Sequence, residues 1–198
     1  MYSPALDVAD AQQDMRDAYA GGAPGMFASA LVWLVAGLVA VQLPPQRAVV
    51  TLFVGGMLIH PAGVLIARAL GRRGQHAHGN PLGMLALETT VWLVLSMPLA
   101  YVVSLYRLDL FFPAMLLVIA GRYATFGTVY GSRLFWLCGG ALAAAAYALA
   151  AAKAAPATGA FSGAVIEAVF AGVVLARDGA TARGAGPPAA GGPAPEIG

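Results

Sequence analysis

From Pro24 to Arg177 the chain is a succession of long apolar runs separated by short polar breaks. The runs are continuous and lack the strict alternation that the strands of a membrane barrel need, so they read as helices. Six spans fall near 24–43, 48–70, 82–105, 109–129, 133–152 and 159–177. Each approaches the ~20 residues that a helix needs to cross ~30 Å of hydrocarbon. The breaks are Pro44-Pro45 with Arg47, a loop carrying Arg72, Arg73, His76, His78 and Asn80, then Arg107 with Asp109, Ser132-Arg133, and Lys153 with Pro156. The fourth break is the weakest, because Gly127 to Gly140 holds little polarity, and a five-span chain with one half-inserted segment is the alternative. The pattern predicts an all-α fold, a polytopic membrane bundle of six transmembrane helices.

Two flanking segments differ from the spans. In residues 1–23, Asp7, Asp10, Asp14 and Asp17 share one helical face while Val8, Ala11, Met15 and Tyr19 share another, which predicts a short amphipathic helix. Ser3 and Pro4 suit its cap and first turn. The acidic start lacks the basic region of a secretory signal, so the segment is expected to be retained. Anionic lipid would repel its acidic stripe. Docking on a basic loop such as Arg72-Arg73 is the expectation, with a merely solvated helix as the alternative. Residues 178–198 are mostly Gly, Pro and Ala and predict a disordered tail.

Composition sharpens the environment. Of 198 residues, 60% are hydrophobic and 10% charged, against roughly 25% charged in soluble domains, so the chain cannot cover a water-facing surface and belongs in a lipid bilayer. The net charge of +2 is spread along the chain and makes no nucleic-acid footprint. Cys138, the only cysteine, cannot form an intramolecular disulfide and reads as a small buried apolar side chain. His76 and His78 lack the further ligands of a defined metal site and read as solvated loop residues. No metal or cofactor is expected. Arg16, Arg68, Arg72, Arg73, Arg133, Arg177 and Arg183 fall on one side of the bundle, against Arg47, Arg107 and Lys153 on the other, which predicts that both termini are cytoplasmic.

Four ionisable residues lie within the spans: His60, Glu88, Arg122 and Glu167. Each costs roughly 2.5–3.5 kcal/mol to insert, and such residues are functional candidates by default. At ~1.5 Å per residue, Glu88 lies about 9 Å into its span and Arg122 about 20 Å into its own from the opposite face, so the two share a level and can pair. By the same count His60 and Glu167, about 18 Å and 12 Å from the outer ends of their spans, lie near the middle of the bilayer and could meet. A structural Glu88–Arg122 pair, completed by Thr89 or Tyr123, is the simpler reading. The sharper one is a polar cavity in which Glu88 binds a cation or exchanges protons. His60 precedes Pro61, which should free the Met57 carbonyl and kink the helix. The pairs Gly127/Gly131 and Gly159/Gly163 have the spacing of close helix contacts, and Tyr123, Phe126 and Tyr130 form a packing stripe.

The segments GGMLIHPAGVLIARALGR, NPLGMLALETTVW and LLVIAGRYATFGTVYG, within Met26 to Arg177, resemble those of small bacterial six-span membrane proteins grouped as a family of unknown function. The resemblance implies a bacterial inner-membrane location and no established activity. Three functions remain open on the residues. A small permease or proton-coupled transporter would use the four buried groups as its pathway. A structural or regulatory membrane subunit would use them only to hold the bundle, with a partner on the amphipathic helix or basic loop. A lipid- or quinone-directed enzyme using His60 and Glu88 is the weakest, because no nucleophile or cofactor motif accompanies them. The expected partner is the bilayer, with a second copy or another membrane protein compatible with the pattern.

Overall fold

A computed structural model describes residues 7–184. Asp7 opens α1 (Val8–Tyr19), its carboxylate accepting the Val8 N–H at 2.7 Å; the Ser3-Pro4 cap expected from sequence lies outside the described residues. Gly21 and Gly22, at φ +64° and +92°, then turn the chain sharply into α2 (Ala23–Gln42). Only glycine takes such angles without strain. There follow α3 (Pro45–Ala69), α4 (Pro81–Tyr106), a single 3₁₀ turn at Leu108–Leu110, α5 (Phe111–Val129), α6 (Arg133–Ala151) and α7 (Pro156–Gly184). The starts follow the sequence signals. Pro45 and Pro81 occupy first helical turns, where the missing N–H is not needed. Asn80 and Ser132 cap α4 and α6 through the Leu82 and Leu134 N–H groups.

Six helices are long and apolar enough to cross a membrane, and the weakly marked fourth break is a full turn made by Gly131 at φ +61° and the Ser132 cap. The five-span alternative therefore falls away. Proline does not interrupt the spans: α3 continues through Pro61 and α4 through Pro98. One boundary needs correction. Helix α7 runs on past Asp178 as far as Gly184, where sequence alone suggests an unstructured tail; Asp178 is held by Arg72, and the alanines that follow favour helix. The rest of that tail lies outside the described residues.

Helix α2 packs along both α3 and α7, and α5 packs along α6 and more lightly along α4. Missing side chains bring the backbones together. A Cβ on Gly63 would sit 3.1 Å from the Gly25 Cα across the α2–α3 contact, and one on Gly139 would sit 2.8 Å from the Ala120 carbonyl across α5–α6. In lipid, where no hydrophobic drive joins helices, such close approach supplies the dispersion that holds them. Of the two spaced glycine pairs, Gly159 and Gly163 do lie against Phe112 and Trp33. Gly127 instead admits the Trp136 side chain, and Gly131 is a turn residue facing Gln12 and Arg16, so that pair is not a helix-packing motif. Trp33, Phe111, Phe112, Leu116, Phe135 and Leu142 fill the core, while α3 and α4 keep Val54, Met57, Leu58, Leu95 and Leu99 exposed. Outward apolar faces over a tightly packed interior are those of an integral membrane protein.

Candidate functional site

At one end of the bundle, α1 lies across the helix ends and is fastened by polar contacts. Asp14 accepts from Arg73 at 2.5 Å, from the Ala77 N–H at 2.8 Å and from the Asn80 amide at 2.8 Å, and Asn80 also donates to the Ala11 carbonyl. Gln12 donates to the Thr128 carbonyl and Arg16 to that of Tyr130. On the opposite face Ala11, Met15 and Ala18 are buried. Of the acidic stripe, Asp14 docks on the basic loop, while Asp7, Asp10 and Asp17 are exposed. Burial of Asp14 works to raise its pKa, but the bonds from Asn80, Ala77 and Arg73 outweigh it and hold the group below the ordinary carboxylate value. Its contribution to docking is thus present above the usual carboxylate range and is lost only as the pH falls through that lowered value. His76 needs correction here: its Nδ1 lies 3.1 Å from the Tyr19 hydroxyl and its ring covers Gly83, so it packs α1 onto the loop. His78 is exposed.

The four intramembrane candidates separate into two groups. Glu167 on α7 has no exposed surface, and neither carboxyl oxygen has a hydrogen-bond partner among the described residues. Its surroundings come from three helices. Ser29 and Trp33 of α2 and Tyr123 of α5 are its polar neighbours, near enough to act on it but none in the geometry of a formed hydrogen bond, and Arg122 acts on it through space. The thiol of Cys138, on α6, is also within its electrostatic reach. Local sequence explains the confinement. Gly163, one turn earlier on α7, leaves room for the Trp33 indole, which lies 2.8 Å from where a Cβ would be; Trp33 is thereby held between α7 and the Phe112 ring, 6.0 Å away.

Arg122 is partly exposed. Its guanidinium lies 5.0 Å from the Phe126 ring centroid, a cation–π contact, and it forms no ion pair among the described residues, where the pairs are Arg72–Asp178, Arg73–Asp14 and Arg107–Asp109. It lines a groove of about 290 Å³ between α4 and α5, with Thr89, Trp92, Ser96, Gly121 and Thr125. The hydroxyls of Thr89 and Ser96 donate to backbone carbonyls of their own helix, those of Ala86 and Trp92, which leaves their oxygens free to accept. Arg122 thus stands between this groove and Glu167.

The remaining two candidates do not join this centre. His60 and Glu88 are exposed on α3 and α4, and among the described residues neither forms a hydrogen bond or ion pair with Arg122 or Glu167. Thr89, next to Glu88, shares the groove with Arg122, so the depth match holds. What separates the pair is that Glu88 is exposed and does not line the groove that holds Arg122. Tyr123, considered as support for a Glu88–Arg122 pair, faces Glu167 instead. Sequence reading missed Ser29 and Trp33, which lie in an apolar run with no signal beyond their helical spacing of four.

Fold and site together define a six-span integral membrane protein with an acidic group enclosed in its interior. Residues 8–177 match the model of a family described as "Family of unknown function (DUF7010)", and the chain belongs to that family. The match begins at Val8, the first residue of α1. No curated protein and no solved structure matches the chain.

Proposed function

We propose that this protein is a small proton-coupled permease of the bacterial inner membrane, with both termini cytoplasmic, in which Glu167 takes up and releases the coupling proton. The observation that carries the reading is the state of Glu167: fully enclosed, with the polar groups of Ser29, Trp33 and Tyr123 beside it but no formed hydrogen bond to either oxygen among the described residues, and within electrostatic reach of Arg122 on α5. A bundle needs no such group for packing, and burying it is expensive. Proton uptake and release change its charge by one unit and so change its attraction to Arg122. That attraction is a means of linking the proton to the groove that Arg122 lines, where a solute with acceptor or anionic groups would meet the guanidinium and the hydroxyls of Thr89 and Thr125. Helix α4, which leans on the rest of the bundle chiefly through α5, is the wall free to move. The arginine bias supports a cytoplasmic position for the α1 end.

The test is flux in proteoliposomes containing a pH-sensitive dye. Wild-type protein should carry protons in response to at least one solute of a broad anionic and polar panel, Glu167→Gln should reduce that signal to the level of empty vesicles, and Glu88→Gln should leave it within about twofold, as expected of an outward residue. Silence of the wild type across the whole panel would count against transport. The competing reading, a structural subunit whose charges only fix helix register, rests on the Arg122–Glu167 attraction and predicts loss of stability when Glu167 is made apolar.

A further inference from the structure

The groove that Arg122 lines has a graded wall. Its lining comes from α4 and α5 alone, two helices that are long and apolar enough to cross the membrane. The first turn of α4 and the last of α5 meet α1, through Asn80 and the Thr128 carbonyl, so depth can be counted from that end along both. At ~1.5 Å per residue, Thr125, Arg122 and Thr89 lie about 6, 10 and 12 Å deep, whereas Trp92, Val118, Leu93 and Leu117 lie about 16–18 Å deep. The polar end of the groove therefore faces the α1 side of the bilayer and the apolar end its middle. Ser96, at about 22 Å, departs from the gradient, but its hydroxyl is turned back onto the Trp92 carbonyl at 2.8 Å. The groove is open sideways: Trp92 is 71% exposed, and a Cβ on Gly121 would meet nothing within 4 Å.

Arg122 is equipped for an anion at the polar end. The Phe126 ring lies against it and Glu167 attracts it through space, but among the described residues its N–H groups form no hydrogen bond or ion pair. The hydroxyls beside it already donate to their own helices, Thr89 to the Ala86 carbonyl and Thr125 to that of Gly121, so the guanidinium is the principal donor left for an acceptor. Donors without acceptors at this depth are costly, and a planar guanidinium fits the paired oxygens of a carboxylate or phosphate. We infer that the groove binds a single-chain anionic amphiphile from the leaflet on the α1 side, its acidic head on Arg122 and the start of its chain along Leu93, Leu117 and Val118. This names the substrate class of the transport reading and rests on that reading for the groove's role; binding itself does not require flux. A soluble anion would have to cross hydrocarbon to reach the guanidinium, and a cationic amphiphile would be repelled by it. The head has two sources with the same chemistry, a free fatty acid or a phosphate-bearing lipid of one chain.

The experiment titrates the full chain in phosphatidylcholine nanodiscs with amphiphiles of one brominated chain, which quench tryptophan emission on contact. A brominated fatty acid and the corresponding alkyl phosphate are the two arms, and an alkyltrimethylammonium with the same chain sets the background of probe dissolved in the bilayer. Saturable quenching above that background is expected from the anions, tightest for the head that names the source, and it should disappear in Trp92→Phe. Arg122→Gln should raise the half-saturating concentration roughly ten- to hundredfold, as expected on losing hydrogen bonds to a charged group. Gly121→Leu, which fills open space and favours helix, should raise it also and stands in if the arginine variant folds poorly. Arg107→Gln, which removes a cation paired with Asp109 at the other end of the bundle, should bind as the wild type does. Equal quenching by anions and cation, an unchanged half-saturation in Gly121→Leu or in folded Arg122→Gln, or displacement of the probe by acetate or inorganic phosphate as readily as by an unbrominated long-chain anion would overturn the inference. Saturable binding without flux would instead sink the transport reading and leave the site, whereas flux of other solutes without this binding would do the reverse.

Discussion

Replacing Glu167 with methionine should raise the unfolding temperature of the bundle and at the same time abolish proton-coupled flux. Methionine is close to glutamate in size and flexible enough to fill the same space among Trp33, Tyr123 and Ser29. It removes a group whose two oxygens form no hydrogen bond of good geometry among the described residues, in a site with no exposed surface. Exchanging buried ionic groups for well-packed apolar ones commonly stabilises by about 1–4 kcal/mol. Arg122 does not become a buried orphan in the variant, because it is partly exposed to the α4–α5 groove and rests on Phe126. The two competing functions give opposite signs here. A carboxyl kept as glue would make the variant less stable than the wild type, whereas one kept for proton exchange leaves it more stable and inactive. Thermal unfolding in lipid nanodiscs reads the sign.

Trp33→Ala should lower stability by about 3–5 kcal/mol, the usual loss on truncating a large buried aromatic side chain. Trp33 is 1% exposed, lies between α2, α5 and α7, and meets both Phe112 and the flat surface left by Gly163. Its removal opens a cavity at a helix contact that has no hydrophobic effect to close it, since lipid tails compete equally for the same surfaces. The same cavity would bring space, and with it water, to Glu167. Denaturant or thermal unfolding should show the loss, and a change below about 1 kcal/mol would mean that α2 and α7 can collapse into the space.

Much of the architecture was legible in the chain because bilayer thickness and helix rise convert apolar runs directly into spans. The six helices begin and end within a few residues of the positions that Pro45, Asn80-Pro81, Ser132 and Pro156 mark. The docking of α1 was partly legible: the aspartates at helical spacing pointed to a basic loop such as Arg72-Arg73 or to solvent, and Asp14 takes the first course while Asp7, Asp10 and Asp17 take the second. The centre at Glu167 was only partly legible. Its cost could be read from sequence, as could the need for a partner from another helix, but which partner depends on helix rotation and neighbour order, which neither depth nor hydropathy records. Glu88 and Arg122 illustrate the point, matched in level and yet not paired. Gly131 shows the converse, since a GxxxG spacing carries no information on whether its second glycine belongs to the helix or to the turn that ends it.

The central claim is that Glu167, though enclosed, gains and loses a proton, and infrared difference spectroscopy of the protein in liposomes measures this directly. A carbonyl band of a protonated carboxylic acid should appear and disappear reversibly as the bulk pH is stepped, and it should be absent from Glu167→Gln while persisting in Glu88→Gln. A titrating band unchanged by Glu167→Gln, or a Glu167 carboxyl whose spectrum stays constant from acid to alkaline pH, would contradict the claim.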